Sequence, residues 1–190
     1  NFNCVTKVAG YIKRLSPGLP ILLGGPHATI LHREIIERFT AFDVVVRNEA
    51  EYTLPSLLER LATMDCGGLA GVSYRSPQGI ICNDGRPIID DLDSLPVPAY
   101  DCYPLQAYNL GSIRVEAGRG CPFSCTFCST ASFFGRSYRL KSTPRLLAEM
   151  DQLNATYGYT DFNLNHDLFT VNRKKVAAFC EAMLDRSYSW

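Results

Sequence analysis

The chain has 190 residues, of which 46% are hydrophobic and 20% charged, and its 19 basic and 19 acidic side chains balance to a formal net charge of zero. A balanced charge gives no overall field that would attract nucleic acid or an anionic membrane surface, and we expect neither as a partner. The apolar runs are far too short to span a bilayer, and the first residues lack the charged segment and apolar core of a signal peptide, so a cytoplasmic protein is expected.

The first 65 residues alternate helical patterns with short, fully apolar strands. Such alternation predicts a parallel sheet that is covered by helices on both faces. The predicted helices are those of CVTKVAGYIKRL, TILHREIIERF and EYTLPSLLERLAT, and the predicted strands are those of ILLGG and DVVV. In the first helix one face carries Val5, Val8, Ile12 and Leu15.

The pattern changes after residue 65. Two short apolar runs on either side of a Ser-Pro-Gln-Gly turn predict a hairpin, and the acidic, proline-rich stretch DDLDSLPVPAYDCYPL predicts an extended linker. A second series of strands and helices then begins at Ile113–Ala117. The sequence therefore predicts three parts, 1–65, 66–110 and 111–190. Because the second series contains only two strand–helix units, we expect the chain to be a piece of a longer protein.

In this second series the first strand leads into a loop that is rich in cysteine. Ser142 or Thr143 is predicted to cap the next helix, which begins at Pro144. A second strand with Phe162 and Leu164 follows, and the last helix is predicted to be capped at Asn172.

Three of the eight cysteines, Cys121, Cys125 and Cys128, lie together in the stretch GRGCPFSCTFCS. Thiolates bind soft metals, so zinc, an iron–sulfur cluster and a redox pair are the possible uses of this group. A structural zinc site takes four ligands, and a Cys125–Cys128 redox pair would leave Cys121 without a role. Three thiolates can hold a cubic 4Fe-4S cluster and leave one iron open for a small molecule. The other cysteines are expected to be small buried hydrophobic residues: Cys4, Cys66, Cys82, Cys102 and Cys180.

The motif CPFSCTFC matches the C-x3-C-x-aromatic-C signature of radical S-adenosylmethionine enzymes, and the chain resembles that family here. In the family this loop follows the first strand of a partial (β/α)6 barrel. The resemblance implies that the three cysteines hold a 4Fe-4S cluster whose open iron binds the amino and carboxylate groups of S-adenosylmethionine. One electron from the reduced cluster then cleaves the sulfonium to methionine and a 5′-deoxyadenosyl radical, which removes a hydrogen atom from the substrate.

The same resemblance implies further residues and partners of the cluster loop. Phe127 would pack near the cluster and the adenine, and an electron donor such as flavodoxin or ferredoxin would reduce the cluster. At the end of the second barrel strand lie Asn165, His166 and Asp167, and Asp167 is the candidate to hydrogen-bond the methionine amino group or the ribose. An ordinary helix cap is the alternative role of Asp167. Arg136 and Arg139 either meet a carboxylate or are solvated, and we expect them to be solvated.

The first module resembles the second half of the cobalamin-binding, Rossmann-like domain that precedes many radical S-adenosylmethionine barrels, on the stretches ILLGGPHA and DVVVRNEAEYTLPSLLERL. The resemblance implies that Gly24 and Gly25 let the backbone approach the nucleotide tail of the cofactor; a tight turn between strand and helix is the alternative. The family often has Gly-Glu-Gly-Glu where this chain has residues 48–51, Asn-Glu-Ala-Glu. The motif D-x-H-x-x-G, which carries a cobalt ligand in some members, does not occur in the chain, and His27 and His32 are expected in a loop or on a helix surface.

The predicted fold is therefore α/β, with a partial Rossmann-like parallel sheet followed by the first βα units of a partial (β/α)6, TIM-like barrel. The predicted protein is a radical S-adenosylmethionine enzyme that transfers a methyl group with cobalamin, or makes a related radical modification of an unknown substrate. The alternatives are a radical S-adenosylmethionine enzyme without cobalamin and a non-catalytic zinc or iron–sulfur module. The 190 residues alone are expected to be inactive, because later barrel strands would complete the substrate pocket.

Overall fold

The structure, a computed structural model, describes residues 2–108 and 111–190. The last two residues of the predicted linker, 109 and 110, lie outside the described residues, as does residue 1. The chain divides into two compact units, Asn1–Ile88 and Ile89–Trp190. The division of the sequence into 1–65, 66–110 and 111–190 stays a prediction.

The first unit is built on a four-stranded sheet in the order β1-β2-β3-β4. The first two strands pair in parallel, and the predicted hairpin, β3 and β4, adds to the same sheet in antiparallel orientation. The strands are β1 (Leu22–Leu23), β2 (Val44–Val46), β3 (Val72–Ser76) and β4 (Gly79–Cys82), and the helices are α1 (Phe2–Leu15), α2 (Pro26–Ile30), α3 (His32–Arg38) and α4 (Thr53–Arg60).

Strand β2 explains why both faces of this sheet are covered. All three of its valines are buried, and their side chains alternate between the two faces. Val44 and Val46 belong to an apolar cluster with Leu57 of α4, whereas Val45 belongs to a second cluster with Ile36 of α3. The prediction of a sheet buried on both faces is confirmed.

Helix α1 contributes less to this core than its pattern indicated. Only Ala9 of the helix is buried. The side chains of Val5, Val8 and Leu15 are exposed by 41%, 57% and 66%. The face that carries these three residues therefore points to solvent in this chain.

The second unit begins with a segment of short 3-10 helices (Leu92–Ser94, Tyr100–Cys102, Leu105–Ala107) where an extended linker was predicted. The segment is attached to the N-terminus of a helix further along the chain. Asp93 accepts a hydrogen bond from the Ser142 N–H at 2.9 Å, and Arg145 donates to the Leu95 carbonyl oxygen at 2.7 Å. These contacts attach the segment to the N-terminus of that helix within the second unit.

Two parallel strands form the centre of the second unit, and two helices pack on one of their faces. Ile113 and Val115 of one strand and Phe162 of the other are buried against that layer. The opposite face carries polar side chains, since Glu116 lies beside Asn165 in the register. The elements are β5 (Ile113–Glu116), β6 (Gly118–Arg119), β7 (Arg139–Leu140), β8 (Phe162–Asn165), α5 (Thr130–Phe134), α6 (Thr143–Tyr157) and α7 (Arg173–Met183).

The N-terminal caps of α6 and α7, the two longer helices of the second unit, are as predicted. The Ser142 hydroxyl accepts a hydrogen bond from the Arg145 N–H at 3.2 Å, with Pro144 in the first turn of α6. Asn172 accepts from the Lys175 N–H at 3.1 Å at the start of α7. Each side chain satisfies one of the backbone donors that a helix N-terminus leaves free.

The sequence predicted that the five scattered cysteines are all buried, and the structure shows that they are not. Cys66 is buried, and Cys82 and Cys180 are partly buried, but Cys4 and Cys102 are exposed. The prediction is wrong for Cys4 because its side of α1 faces solvent, and for Cys102 because the 3-10 turn that carries it lies on the surface.

Candidate functional site

The cysteine loop begins at the C-terminal end of β5 in the second unit. It is closed at its base by the antiparallel pairing of β6 with β7, in which Gly118 pairs with Leu140 and Arg119 with Arg139. The enclosed residues thus start and finish at the same place beside the sheet. Functional groups of barrel enzymes are carried at this end of the strands.

Two glycines allow the strands of this base to come close together. A Cβ at Gly118 would overlap the carbonyl oxygen of Arg139 and would lie 2.6 Å from Cδ2 of His166. A Cβ at Gly120, whose φ is +82°, would overlap the carbonyl oxygen of Ser137. Any larger residue at either position would push the two sides of the base apart. The sequence reasoning missed these glycines, although the pattern Gly-x-Gly before Cys121 was a signal for close backbone approach.

The three thiols lie on the outer part of this loop. Cys121 is partly buried, and Cys125 and Cys128 are exposed. A short turn joins the last two, since the Cys128 N–H donates to the Cys125 carbonyl oxygen at 3.1 Å. Within residues 2–108 and 111–190 no three His, Cys, Asp or Glu side chains are gathered closely enough to hold a metal ion. The loop therefore presents the thiols without preassembling them into a cage.

The donor set nevertheless fits an iron–sulfur cluster. Thiolates are its usual ligands in proteins, and all three thiols are free and reachable at the surface or close to it. The pKa of the Cys128 thiol is lowered chiefly by a hydrogen bond with the Thr130 side chain, and next by one with the Thr130 backbone. A lower pKa favours the thiolate, which is the form that binds metal.

Asp167 lies at the base of the loop and contacts both of its sides. Its Oδ2 accepts a hydrogen bond from the Gly120 N–H at 2.9 Å, and its Oδ1 accepts from the Thr130 hydroxyl at 3.1 Å. Thr130 thus donates to the Asp167 carboxylate and also lowers the pKa of the Cys128 thiol, so it links the two residues. Thr130 did not stand out in the sequence, because a threonine two residues after a cysteine carries no signal of its own.

The other predicted residues around the loop have different environments. Phe127 is 92% exposed, and Asn165 is exposed on the polar face of β8. His166 packs edge-on against Tyr138 at 5.2 Å and accepts a hydrogen bond from the Leu168 N–H at Nδ1. Burial is the main cause that lowers the pKa of His166, which keeps the ring neutral near pH 7.

The two arginines of the loop region differ from each other. Arg136 is exposed, as expected. Arg139 is 8% exposed, and the expectation that it is solvated is wrong. It donates to the Ile89 carbonyl oxygen at 2.5 Å and to the Ser137 hydroxyl at 3.2 Å, so the side chain ties β7 to the start of this unit.

In the first unit, Gly24 and Gly25 connect β1 to α2. Gly25 has a φ of +94°, which glycine adopts without strain, and Pro26 follows in the first turn of the helix. A Cβ at Gly24 would only touch the Val46 carbonyl oxygen at 3.6 Å, so packing does not require glycine there. The backbone conformation thus explains why residue 25 is a glycine. Neither conformation nor packing within the chain explains the glycine at position 24.

A second strand end lies beside this turn. Asn48 follows β2 with a φ of +59°, and its N–H donates to the Thr29 hydroxyl of α2 at 2.8 Å. Asparagine tolerates this conformation, so it can stand at the position where the family motif Gly-Glu-Gly-Glu has its first glycine. His27 is exposed on α2, as expected, whereas His32 is partly buried and lies 2.9 Å from the Ser73 hydroxyl. Burial, followed by the charge of Arg47, lowers the pKa of His32.

Comparison with known proteins finds a similarity for the larger part of the first unit. Residues 1–58 match the family model of the B12 binding domain.

No helix in the described part of the chain combines the length and the hydrophobicity needed to cross a membrane.

Two curated relatives extend the similarity through the cysteine loop. The chain is 32% identical over 172 residues to an uncharacterized methyltransferase of Pyrococcus horikoshii, across 88% of this chain and 38% of the relative. It is 31% identical over 174 residues to the anaerobic magnesium-protoporphyrin IX monomethyl ester cyclase of Cereibacter sphaeroides, across 87% of this chain and 28% of the relative. The chain thus spans between a quarter and two fifths of the length of these proteins.

A solved structure has the same fold. The radical S-adenosylmethionine methyltransferase TsrM from Kitasatospora setae, with its tryptophan substrate and an S-adenosylmethionine analogue bound, superposes with a TM-score of 0.72 and 18% identity over 94% of this chain and 35% of TsrM. A second TsrM structure, with cobalamin and a [4Fe-4S] cluster bound, gives a TM-score of 0.69. The predicted α/β fold, a Rossmann-like unit followed by the first units of a barrel, is confirmed.

Proposed function

The chain belongs to the radical S-adenosylmethionine proteins that carry a cobalamin-binding domain, and from that premise we propose that it starts a radical reaction by reductive cleavage of S-adenosylmethionine. The observation that carries the proposal is the placement of Cys121, Cys125 and Cys128. Their spacing is that of the family signature, and their loop follows the C-terminal end of β5, where barrel enzymes carry their chemistry.

In this proposal the three cysteines hold a 4Fe-4S cluster. The cluster, when bound, supplies an open iron for the methionine part of S-adenosylmethionine and an electron for cleavage of its sulfonium. The protein contributes the three thiolates, the paired strands β6 and β7 that close the loop, and an exposed aromatic ring. Phe127, 92% exposed, is the apolar surface that would cover one side of the cluster and exclude water from it.

We assign cobalamin to the first unit, on the match of residues 1–58 to the B12 binding domain. Gly24 is the residue that would lie against the cofactor, because it is exposed at the end of β1 and packing within the chain does not require its lack of a side chain. Cobalamin, when bound, supplies a carrier for a methyl group. Gly25 would act beside it by directing the chain into α2.

Methyl transfer to a small-molecule substrate is the reaction we favour, because relatives named as methyltransferases occur among both the sequences and the structures. A related radical modification without methyl transfer is the second candidate, since another relative is named as a cyclase. In both cases an electron donor of the flavodoxin or ferredoxin type would reduce the cluster, and the enzyme would work in the cytoplasm.

The experiment is anaerobic reconstitution of the full-length protein with iron and sulfide, followed by S-adenosylmethionine and a chemical reductant, because the 190 residues alone are expected to be inactive. We expect broad visible absorption and release of 5′-deoxyadenosine, and we expect C125A to lose both. The matched control is C102A, which removes another exposed thiol away from the loop and should keep both. Stoichiometric zinc without a visible chromophore would instead indicate a structural metal module.

Cobalamin binding is tested separately, by absorbance titration of the protein with hydroxocobalamin. The variant G24A should weaken binding without unfolding the protein, because a Cβ at this position finds only one neighbour, at 3.6 Å. Binding that is as tight in G24A as in the wild type would remove Gly24 from the proposed site. Absence of binding to the wild-type protein would favour a radical enzyme that does not use cobalamin.

A further inference from the structure

One carboxylate connects the two ends of the cysteine loop. Gly120 directly precedes Cys121, and Thr130 follows two residues after Cys128, so these two residues bracket the three thiols. Asp167 accepts a hydrogen bond from each: Oδ2 from the Gly120 N–H at 2.9 Å and Oδ1 from the Thr130 hydroxyl at 3.1 Å. Asp167 lies beyond the end of β8, so the bridge also attaches the loop to the second strand of the sheet.

The loop between these two ends has few other constraints. Residues 122–129 are exposed, and no helix or strand is formed between β6 and the start of α5 at Thr130. Below the loop, the backbone at Gly120 is packed so closely against Ser137 that a Cβ would not fit. The direction in which the thiols leave the base therefore depends on the contacts at Gly120 and Thr130.

A carboxylate is well suited to this contact. Hydrogen bonds to a charged acceptor are shorter and about twice as strong as those between neutral groups. A carboxylate also has two oxygens, so it can take one donor from each end of the loop, which a single hydroxyl or carbonyl oxygen would do less firmly. The N–H of Gly120 is buried and needs an acceptor, which Asp167 provides.

We propose that Asp167 is a positioning residue for the cluster, which holds the two ends of the cysteine loop at a fixed separation so that the three thiols converge when iron and sulfide arrive. The role rests on the proposed function, because it requires that the loop binds a cluster. It differs from the role predicted from the sequence, in which Asp167 contacts the methionine amino group or the ribose directly.

The first measurement needs no cluster. Hydrogen exchange of the Gly120 amide is followed by NMR in the wild-type protein, D167N, D167A and the control D161A. Asp161 is an exposed carboxylate at the other end of the same strand, and it accepts a hydrogen bond from the Ser189 hydroxyl. We expect exchange to be faster by about tenfold or more in D167A, because a buried N–H loses a charged acceptor. D167N keeps one acceptor oxygen and should lie between, and D161A should match the wild type at Gly120.

The second measurement uses the same four proteins after anaerobic reconstitution. We expect D167A to bind less iron and sulfide than the wild type and to give an altered electron paramagnetic resonance spectrum after reduction. D167N should recover part of the iron content, and D161A should equal the wild type. The fluorescence of Trp190, the chain's single tryptophan, verifies that each variant keeps its folded second unit.

The outcomes separate this role from the proposed function. Unchanged exchange at Gly120 in D167A would overturn the inference, and so would faster exchange with an unaltered cluster. Normal exchange and normal iron content together with lost S-adenosylmethionine binding would assign Asp167 to the cofactor directly and overturn the positioning role. A wild-type protein that takes up no cluster would overturn the proposed function and this role with it, even where the exchange result at Gly120 is as expected.

Discussion

Replacement of Lys141 by methionine should cost the second unit a large part of its stability. Lys141 and Glu149 form an ion pair at 2.8 Å, with side chains that are 3% and 0% exposed. The other carboxylate oxygen of Glu149 accepts a hydrogen bond from the Tyr100 hydroxyl at 2.9 Å. Burial, followed by the Glu149 charge, raises the pKa of Tyr100, so the hydroxyl stays protonated and remains a donor.

The magnitude follows from what K141M leaves behind. The variant keeps a carboxylate with no exposed surface, to which the neutral Tyr100 hydroxyl still donates, and removal of one partner of a buried pair costs about 3–5 kcal/mol. A domain is stable by about 5–15 kcal/mol in total, so the change should be visible as a large shift of the unfolding midpoint. The triple variant K141M/E149L/Y100F removes every polar member of the network and should recover much of the loss.

The assay is urea unfolding followed by Trp190 fluorescence. Trp190 packs against Phe179 at 5.1 Å between ring centroids, so its signal reports on the second unit. The control is R186M, which breaks the pair of Arg186 with Asp151 in the same unit; these side chains are 28% and 44% exposed, and the expected loss is about 1 kcal/mol or less. A loss in K141M no larger than that in R186M would refute the reasoning that burial makes the difference.

Three further predictions concern the same unit and helix α1. Hydrogen bonds from Arg186 hold the pKa of Asp151 below its ordinary value of 3.8, so the stability that this ion pair contributes is complete above pH 3.8 and is lost as the pH falls through the lower folded pKa. In acid unfolding the wild type should therefore lose more stability than R186M over that pH range. Equal losses in the two proteins would contradict the pairing of Asp151 with Arg186. G118A should destabilise by about 1–3 kcal/mol or more in thermal unfolding, because its Cβ meets the Arg139 backbone. The contrasting change G10A in helix α1 meets no neighbour and should stabilise by about 0.5–1 kcal/mol, and the opposite order of the two variants would show that the packing argument fails. S142A should cost about 1 kcal/mol in urea unfolding through loss of the α6 cap, and an unchanged midpoint would mean that water replaces it.

The elements that the sequence predicted well are those with a strong local signal. Strand β2 is a continuous valine run between turns, and the hairpin of β3 and β4 surrounds a clear turn sequence. The helix caps at Ser142 and Asn172 depend on hydrogen bonds three residues along the chain. Local rules describe such contacts fully, because both partners lie within one turn of the helix.

The features that the sequence did not predict depend on partners far apart in the chain. Asp167 meets donors that lie 47 and 37 residues before it, and Arg139 is buried by a carbonyl group 50 residues away. No periodicity or spacing reveals such pairs. The cysteine motif gave the identity of the loop residues, but the width of its base is set by Gly118 and Gly120, whose role becomes visible only when β6 and β7 are paired.

The most direct test is Mössbauer spectroscopy of the protein reconstituted anaerobically with ⁵⁷Fe. Three cysteine ligands predict about four irons per chain, one of which differs from the rest and changes its signal when S-adenosylmethionine is added. Four equivalent irons that do not respond to S-adenosylmethionine, or a protein that binds zinc in place of iron, would contradict the account.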